Sequence, residues 1–449
     1  MADINQTTQA GSLGPETTPG TLVATTFLPL SFGFTRMKQM GSGKMIRPQG
    51  YKVPTTSMPV GYRWTEWALS PDSVMDYGEL PYLLCSAIKN VSPTSDGTNG
   101  KKWTFNITKN DIDTKKTYSF EQGNSQHAQR TTYAHMISLG MFMSRLEQGL
   151  SGNWRGQALA DAITLSSPTS PTQRVISPQS FDVRIGSTAV AATGTQQVET
   201  ATAVTTTSGA GNVTVTVTAA GSVALSGGKA IVVALASGDT ASVWAGKVRT
   251  ALAADADVEA FFRVGGSGTA ITLTARAAAA NDATMNIAIA DTGSTGITPV
   301  VTSTNTTAGS APASVYSRPF RVEFALDGIQ DALPRMNSSD TSYISTQDLP
   351  LAPTIKLTTG ADTADMAYLA THAAGDTTFI YVTSTGAPIT GAASSNYFFS
   401  LLAACKINES YDPSEQNGTA QAVWPLSLVY DPTFNNIIEI VTINTLASL

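Results

Sequence analysis

The stretch SLVYDPTFNNIIEIVTINTLASL, residues 427–449, decides how the chain is read. Two strand-like runs flank a Pro-Thr-Phe-Asn-Asn turn. In the second run Ile438, Ile440 and Thr442 alternate onto one face, and Ile437, Glu439, Val441 and Ile443 onto the other. A sheet at the edge of a small domain normally keeps one polar, wet face. This run is apolar on both faces, although chain ends commonly fray. Its second face needs a cover, and the first expectation is that assembly with other copies supplies it.

The whole chain has 449 residues, enough for two to four domains, and 42% apolar residues are enough for real cores. Only 13% of residues are charged, against roughly 25% in an average soluble protein. Such a surface repels its own copies weakly, and it is equally what a Thr-rich β protein shows. The net charge of −6 and the absence of a Lys/Arg block argue against a nucleic-acid footprint. Lys115-Lys116 reads as a solvated strand end. Cys85 and Cys405 each lie in an apolar run and read as buried free thiols rather than a disulfide framework. The polar N-terminus lacks the basic and apolar segments of a signal peptide. No run approaches the roughly 18 apolar residues of a membrane span. The expectation is a chain made in the cytoplasm.

Residues 1–28 read as an extended arm, rich in Thr and Gly. A first strand-rich domain follows over 29–178. Within it, GYRWTEWALS (61–70) alternates like a half-buried strand. DYGELPYLLCSAIKN (76–90) places Leu80, Leu83, Leu84 and Ile88 near helical spacing and predicts one short amphipathic helix. KKWTFNITK (101–109) and KTYSFEQG (116–123) are expected to pair, and the segments beginning TTYAHM and NWRGQA to form a long hairpin. SPTSPTQRVISP (167–178) reads as a linker. A second domain comprises 179–190 and 312–449. Between its pieces, the composition changes over residues 191–311. Aromatics nearly vanish there, and Val/Thr alternation (NVTVTVTAAG, 212–221) precedes a helix at 239–255. Asp239 or Thr240 can cap that helix, and Trp244, Val248 and Leu252 line one of its faces. This is an inserted α+β domain. Pairing of SFDVRIG (180–186) with RPFRVEFALDG (318–328) would hang it from a hairpin tip. The flanking parts share an order of strands, one helix, strands and a long hairpin, which points to a tandem duplication.

No residue is assigned a catalytic, cofactor-binding or metal-ligating role. His127, His135 and His372 lack partners at metal-ligand spacing. No G-x-S-x-G elbow or P-loop occurs, and VGGSG (264–268) leads into a strand, as a hairpin turn does. The acid pairs Asp111/Asp113 and Asp362/Asp365 fall short of a calcium loop and read as solvated turns. The expectation is a structural protein, not an enzyme, with no cofactor.

With PETTPGTLVATTFLPL, the GELPYLLCSAIKN helix before KKWTFNITK, and the closing AVWPLSLVYDPTFNNIIEIVTINTLASL, the chain resembles the tail tube (major tail) proteins of long, non-contractile tailed bacteriophages. The resemblance covers roughly residues 15–190 and 312–449. It implies a mainly β fold: two tandem tail-tube β-barrel or sandwich domains, each with a flanking helix, and an insertion displayed outside. It implies copies packed into rings, homotrimeric and pseudo-hexameric or alternatively hexameric. The rings stack into a tube through long loops and an N-terminal arm. The implied location is the virion tail, with the tape-measure protein and the tail terminator and distal tail proteins as partners. Genome DNA would pass through the channel without specific binding, and an acidic lining would keep it from sticking. Two other classes stay open: a phage or bacterial surface-binding protein (fibre, adhesin or decoration), and a glycan-active enzyme, for which no paired carboxylates argue.

Overall fold

The computed structural model describes residues 10–449 except 42–44, 47–51, 53–55, 58–60, 97–98, 110–113, 125–126, 162–163, 221–224, 317–320, 334–341, 361–374, 390–394, 408–411 and 417–418. Strands make up 49% and helices 10%, so the chain is mainly β, and among the described residues its sheets are open rather than closed into a barrel.

The chain opens with β1 (Ala10–Pro15), β2 (Lys38–Gly41), β3 (Met45–Ile46), β4 (Thr56–Ser57), β5 (Arg63–Ala68) and α1 (Leu80–Ala87). Then come β6 (Thr94–Asp96), β7 (Gly100–Ile107), β8 (Tyr118–Gly123), β9 (Ala128–Ser144), β10 (Gln148–Gly156), β11 (Ala160–Asp161) and β12 (Phe181–Gly186). The inserted unit adds α2 (Ala189–Thr193), β13 (Val198–Thr202), β14 (Gly211–Thr218), β15 (Lys229–Leu235), α3 (Ala241–Ala254), α4 (Ala256–Phe261), β16 (Phe262–Gly265), β17 (Ala270–Ala275), β18 (Asn286–Asp291) and β19 (Thr304–Thr307). The remainder supplies β20 (Arg321–Asp327), β21 (Gln330–Ala332), β22 (Thr346–Asp348), β23 (Ala352–Gly360), β24 (Thr378–Pro388), β25 (Asn396–Ile407), β26 (Asp412–Gln416), β27 (Thr419–Leu428) and β28 (Ile438–Asn444).

Eight strands lie side by side as β2-β5-β10-β9-β20-β23-β27-β26, every neighbouring pair antiparallel. This strip crosses from the N-terminal part to the C-terminal part at β9–β20. A second sheet runs β6-β7-β28-β25-β24-β12. The end of β25 joins β27 and links the two sheets. One hydrophobic cluster draws on both: Trp67, Leu139, Trp154, Phe324, Ile355 and Trp424 from the strip, and Phe105, Val183, Val382, Leu401 and Ile440 from the second sheet. Both flanking parts therefore share one core.

β28 is not an assembly edge. Its two edges are taken inside the chain, by β25 and by β7. The face bearing Ile438 and Ile440 enters the core. On the other face Val441 and Ile443, each 7% exposed, stand between Ser400 and Phe398 on one side and Thr104 and Lys102 on the other. The neighbours' side chains shield the strand sideways, and part of the same face has a second layer: Leu402, opposite Glu439, is buried with Phe379 and with Ala192 of α2, and Phe434 packs against them.

Other expectations shift for the same reason, that pairing is non-local. β7 does not pair with β8; it lies between β6 and β28, while β8 lies between β1 and β9. β12 does not pair with β20. It joins β24, and β20 joins β9 and β23. α1 is not amphipathic: all eight residues are buried, as a helix apolar on every side requires. Residues 10–15 of the expected arm pair along β8, with Leu13 wholly buried. The expected linker is bound too, through Ile176 N–H to the Met75 carbonyl at 2.9 Å. The segment ADMAYLATHA (364–373), whose sequence predicts the helix of the C-terminal part, lies outside the described residues.

The inserted unit has its own core of Trp244, Val248, Leu252, Val215, Ile271 and Ile287. Two sheets build it, β16-β17-β13-β19 and β15-β14-β18. Thr240 caps α3 through its side chain to the Val243 N–H. VGGSG forms the β16–β17 turn, with Gly266 at φ +103° and Gly268 at φ +55°. The unit's two ends meet. Thr195 and Ser310 exchange backbone hydrogen bonds of 3.0 and 3.1 Å. An ion pair of 2.5 Å between Arg263 and the buried Asp96 carboxylate holds it to the β6–β7 hairpin, where Ser395 also donates to Asp96.

Candidate functional site

The feature that stands apart chemically is the eight-stranded strip. Period-two alternation sends Thr65, Trp67, Leu139, Met141, Trp154, Phe324, Ile355, Leu357 and Trp424 inward. The outward face mixes small and hydroxyl side chains with charged and aromatic ones, among them Trp64, Phe142, Glu323 and Lys356. One cross-strand row reads Ser151, Gly140, Ala325, Thr354, Ser427, and another Ser144, Arg321, Thr358, Val423, Asp412. At Gly140 an added Cβ would stand 2.4 Å from Ser151 Oγ, an exposed hydroxyl that can rotate aside, so the position favours a small residue without demanding glycine.

Several charges on this face are compensated. Arg321 lies 3.4 Å from Glu147 and 2.7 Å from Glu323, and its guanidinium stacks 4.6 Å from the Phe142 ring centre. Lys356 stands directly opposite Glu323. Arg155 pairs with Glu66 at 3.0 Å and with Asp331. Such exposed pairs add little stability, about 0–1 kcal/mol each. Their consequence is a surface with few unpaired cations.

The β21–β22 hairpin of the C-terminal part clamps onto the N-terminal part. Asp348 reaches Lys115 at 2.9 Å. Lys115 is thus buried and paired rather than solvated, because Asp348 arrives from far along the chain. Tyr343, wholly buried, donates to the Tyr133 carbonyl at 2.8 Å, and Gln157 donates to the Tyr343 carbonyl at 2.7 Å. Tyr133 has φ +54°, at the point where β9 leaves β8 and goes on to β20.

Two strands end the strip. β2 is exposed along its length, and Asp412 to Glu415 of β26 are exposed. Among the described residues, β2 pairs only with β5 and β26 only with β27. Unpaired edges are templates for another chain. Lys38 lies on the outward face opposite Glu66, and Asp412 lies on the same face opposite Val423. Neither edge stands out in the sequence. The signal there is faint: a lone Lys in KQMG, and acids around a proline in DPSEQ.

His135 is buried in β9 beside Tyr343, with Nδ1 3.3 Å from the Tyr343 hydroxyl and no protein partner for Nε2. Burial lowers its pKa to about 4, against a weaker opposing effect of the Tyr133 carbonyl. The unfolded chain therefore takes up a proton near pH 6.5 that the folded chain refuses until about pH 4. Stability present above pH 6.5 is lost as pH falls through that window, by about 3 kcal/mol. Asp76 and Glu79 act with the opposite sign, since desolvation raises both. Comparing wild type with His135→Gln isolates the histidine. Urea midpoints from pH 7 to 4 should fall less steeply in the variant, and parallel curves would refute this assignment.

His127 lies in the β8–β9 turn, its N–H donating to Asn124 at 3.0 Å. His372, Asp111/Asp113 and Asp362/Asp365 lie outside the described residues. Cys85 and Cys405 are buried and free, and burial pushes the Cys85 thiol up to about 12. Among the described residues no group of three His, Cys, Asp or Glu side chains could hold a metal, and no helix is long and apolar enough to cross a membrane. A cleft of about 220 Å³ includes Tyr77, Arg174, Ser180 and Tyr397 in its walls. Tyr77 and Ser384 share a hydrogen bond of 2.7 Å there. No protein-family model matches the chain, and no curated protein aligns with it significantly.

Proposed function

We propose that the chain is a tail-tube subunit of a long-tailed bacteriophage: a structural protein that assembles into stacked rings around a channel for genome DNA. The observation that carries this reading is the continuous antiparallel strip, whose two end strands have an edge that no strand among the described residues covers. A strip that neither closes on itself nor covers its edges is an arc awaiting further copies. The two flanking parts contribute similar runs, β2-β5-β10-β9 and β20-β23-β27 with β26. A homotrimeric ring would then repeat the unit six times, and a hexamer remains the alternative.

In this reading the outward face lines the bore. Its hydroxyl and small side chains, with cations such as Arg321 and Arg155 held by carboxylates, give phosphates little to grip. Low adhesion would come from neutralised cations rather than from an acidic lining. The inserted unit sits outside the ring as a decoration.

Electron microscopy of the purified protein tests the proposal: hollow stacked rings are expected. Monomers that bind cells or glycans would favour a surface-binding protein instead. Removal of residues 195–310 is a further check. Because the ends of that unit are hydrogen-bonded to each other, a short Gly linker should bridge them and rings should still form. Failure to assemble, in a variant that remains folded, would place the unit in the ring contact.

A further inference from the structure

We infer that the strip passes from one copy to the next by pairing β26 with β2 of its neighbour, repeating between molecules the β9–β20 junction seen within one. This rests on the ring reading above and names the edges that make the ring.

The first support is the repeat in pairing order. In the N-terminal part, β2 pairs with β5, β5 with the second hairpin arm β10, and β10 with the first arm β9. In the C-terminal part, β20 pairs with β23, β23 with the second arm β27, and β27 with β25 and then β26 along the first arm. β20 thus occupies the place of β2, and β26 the place of the outer stretch of β9. Within the chain, β9 residues Leu139–Ser144 accept β20 in antiparallel register. Among the described residues nothing pairs with the matching edge of β26 or with that of β2.

Strand direction agrees. Every neighbouring pair in the strip is antiparallel and the strands number eight, so the two end strands point in opposite directions. A neighbour related by rotation about the bore axis brings its β2 alongside β26 with the antiparallel alternation unbroken.

Charge agrees as well. The β2 edge is basic, with Lys38 and the nearby exposed Arg36, and the β26 edge is acidic, with exposed Asp412 and Glu415. Lys38 and Asp412 project on the same face. Joining β2 to β2, or β26 to β26, sets like charges together and costs stability. Opposite edges attract, so the contact is head-to-tail, the type that yields closed rings or filaments. Pro413 removes one backbone donor from β26, and the strand is short. Both features limit indiscriminate pairing.

Reversal of charge tests the pairing. Lys38→Asp and Asp412→Lys should each raise the protein concentration needed for assembly by at least about tenfold. The double variant should recover most of the loss. Both side chains are exposed, so circular dichroism and melting of the monomers should match wild type. Carbodiimide coupling of wild-type rings should link a peptide containing Lys38 to one spanning 412–415, between copies. Single variants that assemble like wild type, a double variant that does not recover, or coupling only to other segments would overturn the edge assignment while leaving the tube reading intact. Absence of any rings from wild-type protein would remove the tube reading itself.

Discussion

Ala325→Pro should abolish ring formation and destabilise the chain by about 3 kcal/mol. Ala325 sits in mid-β20, between Gly140 of β9 and Thr354 of β23. β20 is the seam where the N-terminal run of the strip meets the C-terminal run. Proline there deletes a ladder donor, leaves a buried carbonyl without its partner and forces the ring against an adjacent strand. A lost hydrogen bond and an orphaned acceptor together account for that figure. Ala325→Ser, which keeps the N–H, is the control. Urea denaturation and electron microscopy read the outcome. Limited proteolysis should still release an intact fragment near 195–310, because that unit has a separate core. A proline variant as stable as wild type would mean that the seam contributes nothing to holding the two parts together.

Trp154→Ala should cost about 4 kcal/mol. Trp154 is 0% exposed and packs 6.3 Å from the Trp67 ring, in parallel, and 5.8 Å from Tyr118, edge-on. It fills the space beneath the second arm of the N-terminal hairpin, as buried Trp424 does beneath the C-terminal one. Truncation leaves a void among rings that cannot all shift, since Trp67 also stacks on Phe120 at 4.7 Å. The effect should appear in the urea midpoint, with the denaturant slope unchanged. Trp154→Phe should recover much of the loss. A loss under 1 kcal/mol would mean that the core there collapses freely.

Local structure is largely legible in the amino-acid order. Val213, Val215 and Val217 alternate inward as their spacing demands, Thr240 caps α3, and Trp244, Val248 and Leu252 are buried together. The long hairpin is legible as well, but not its turn. The chain reverses at residues 145–147, where Arg-Leu-Glu carries none of the Gly, Asn or Pro that mark turns. Strand partners are not legible. Nothing local in IEIVTIN says that β28 will meet KKWTFNI, and nothing in FDVRIG says that it will avoid β20. Register within a pair follows alternation, whereas choice of partner depends on shape across the whole core. The edges are hidden for a related reason: an unpaired strand is defined by what fails to lie beside it.

The stitch between β7 and β28 has a consequence for biosynthesis. Ile107 must wait for Ile438, so a nascent chain carries an unfinished sheet until all the residues between them have been made. Non-local closure of this kind is slow and leaves apolar strand surface exposed meanwhile. A polypeptide truncated before residue 438 would lack the strand that joins β6-β7 to β25-β24-β12, and its second sheet would stay in two pieces with apolar edges open to chaperones and proteases.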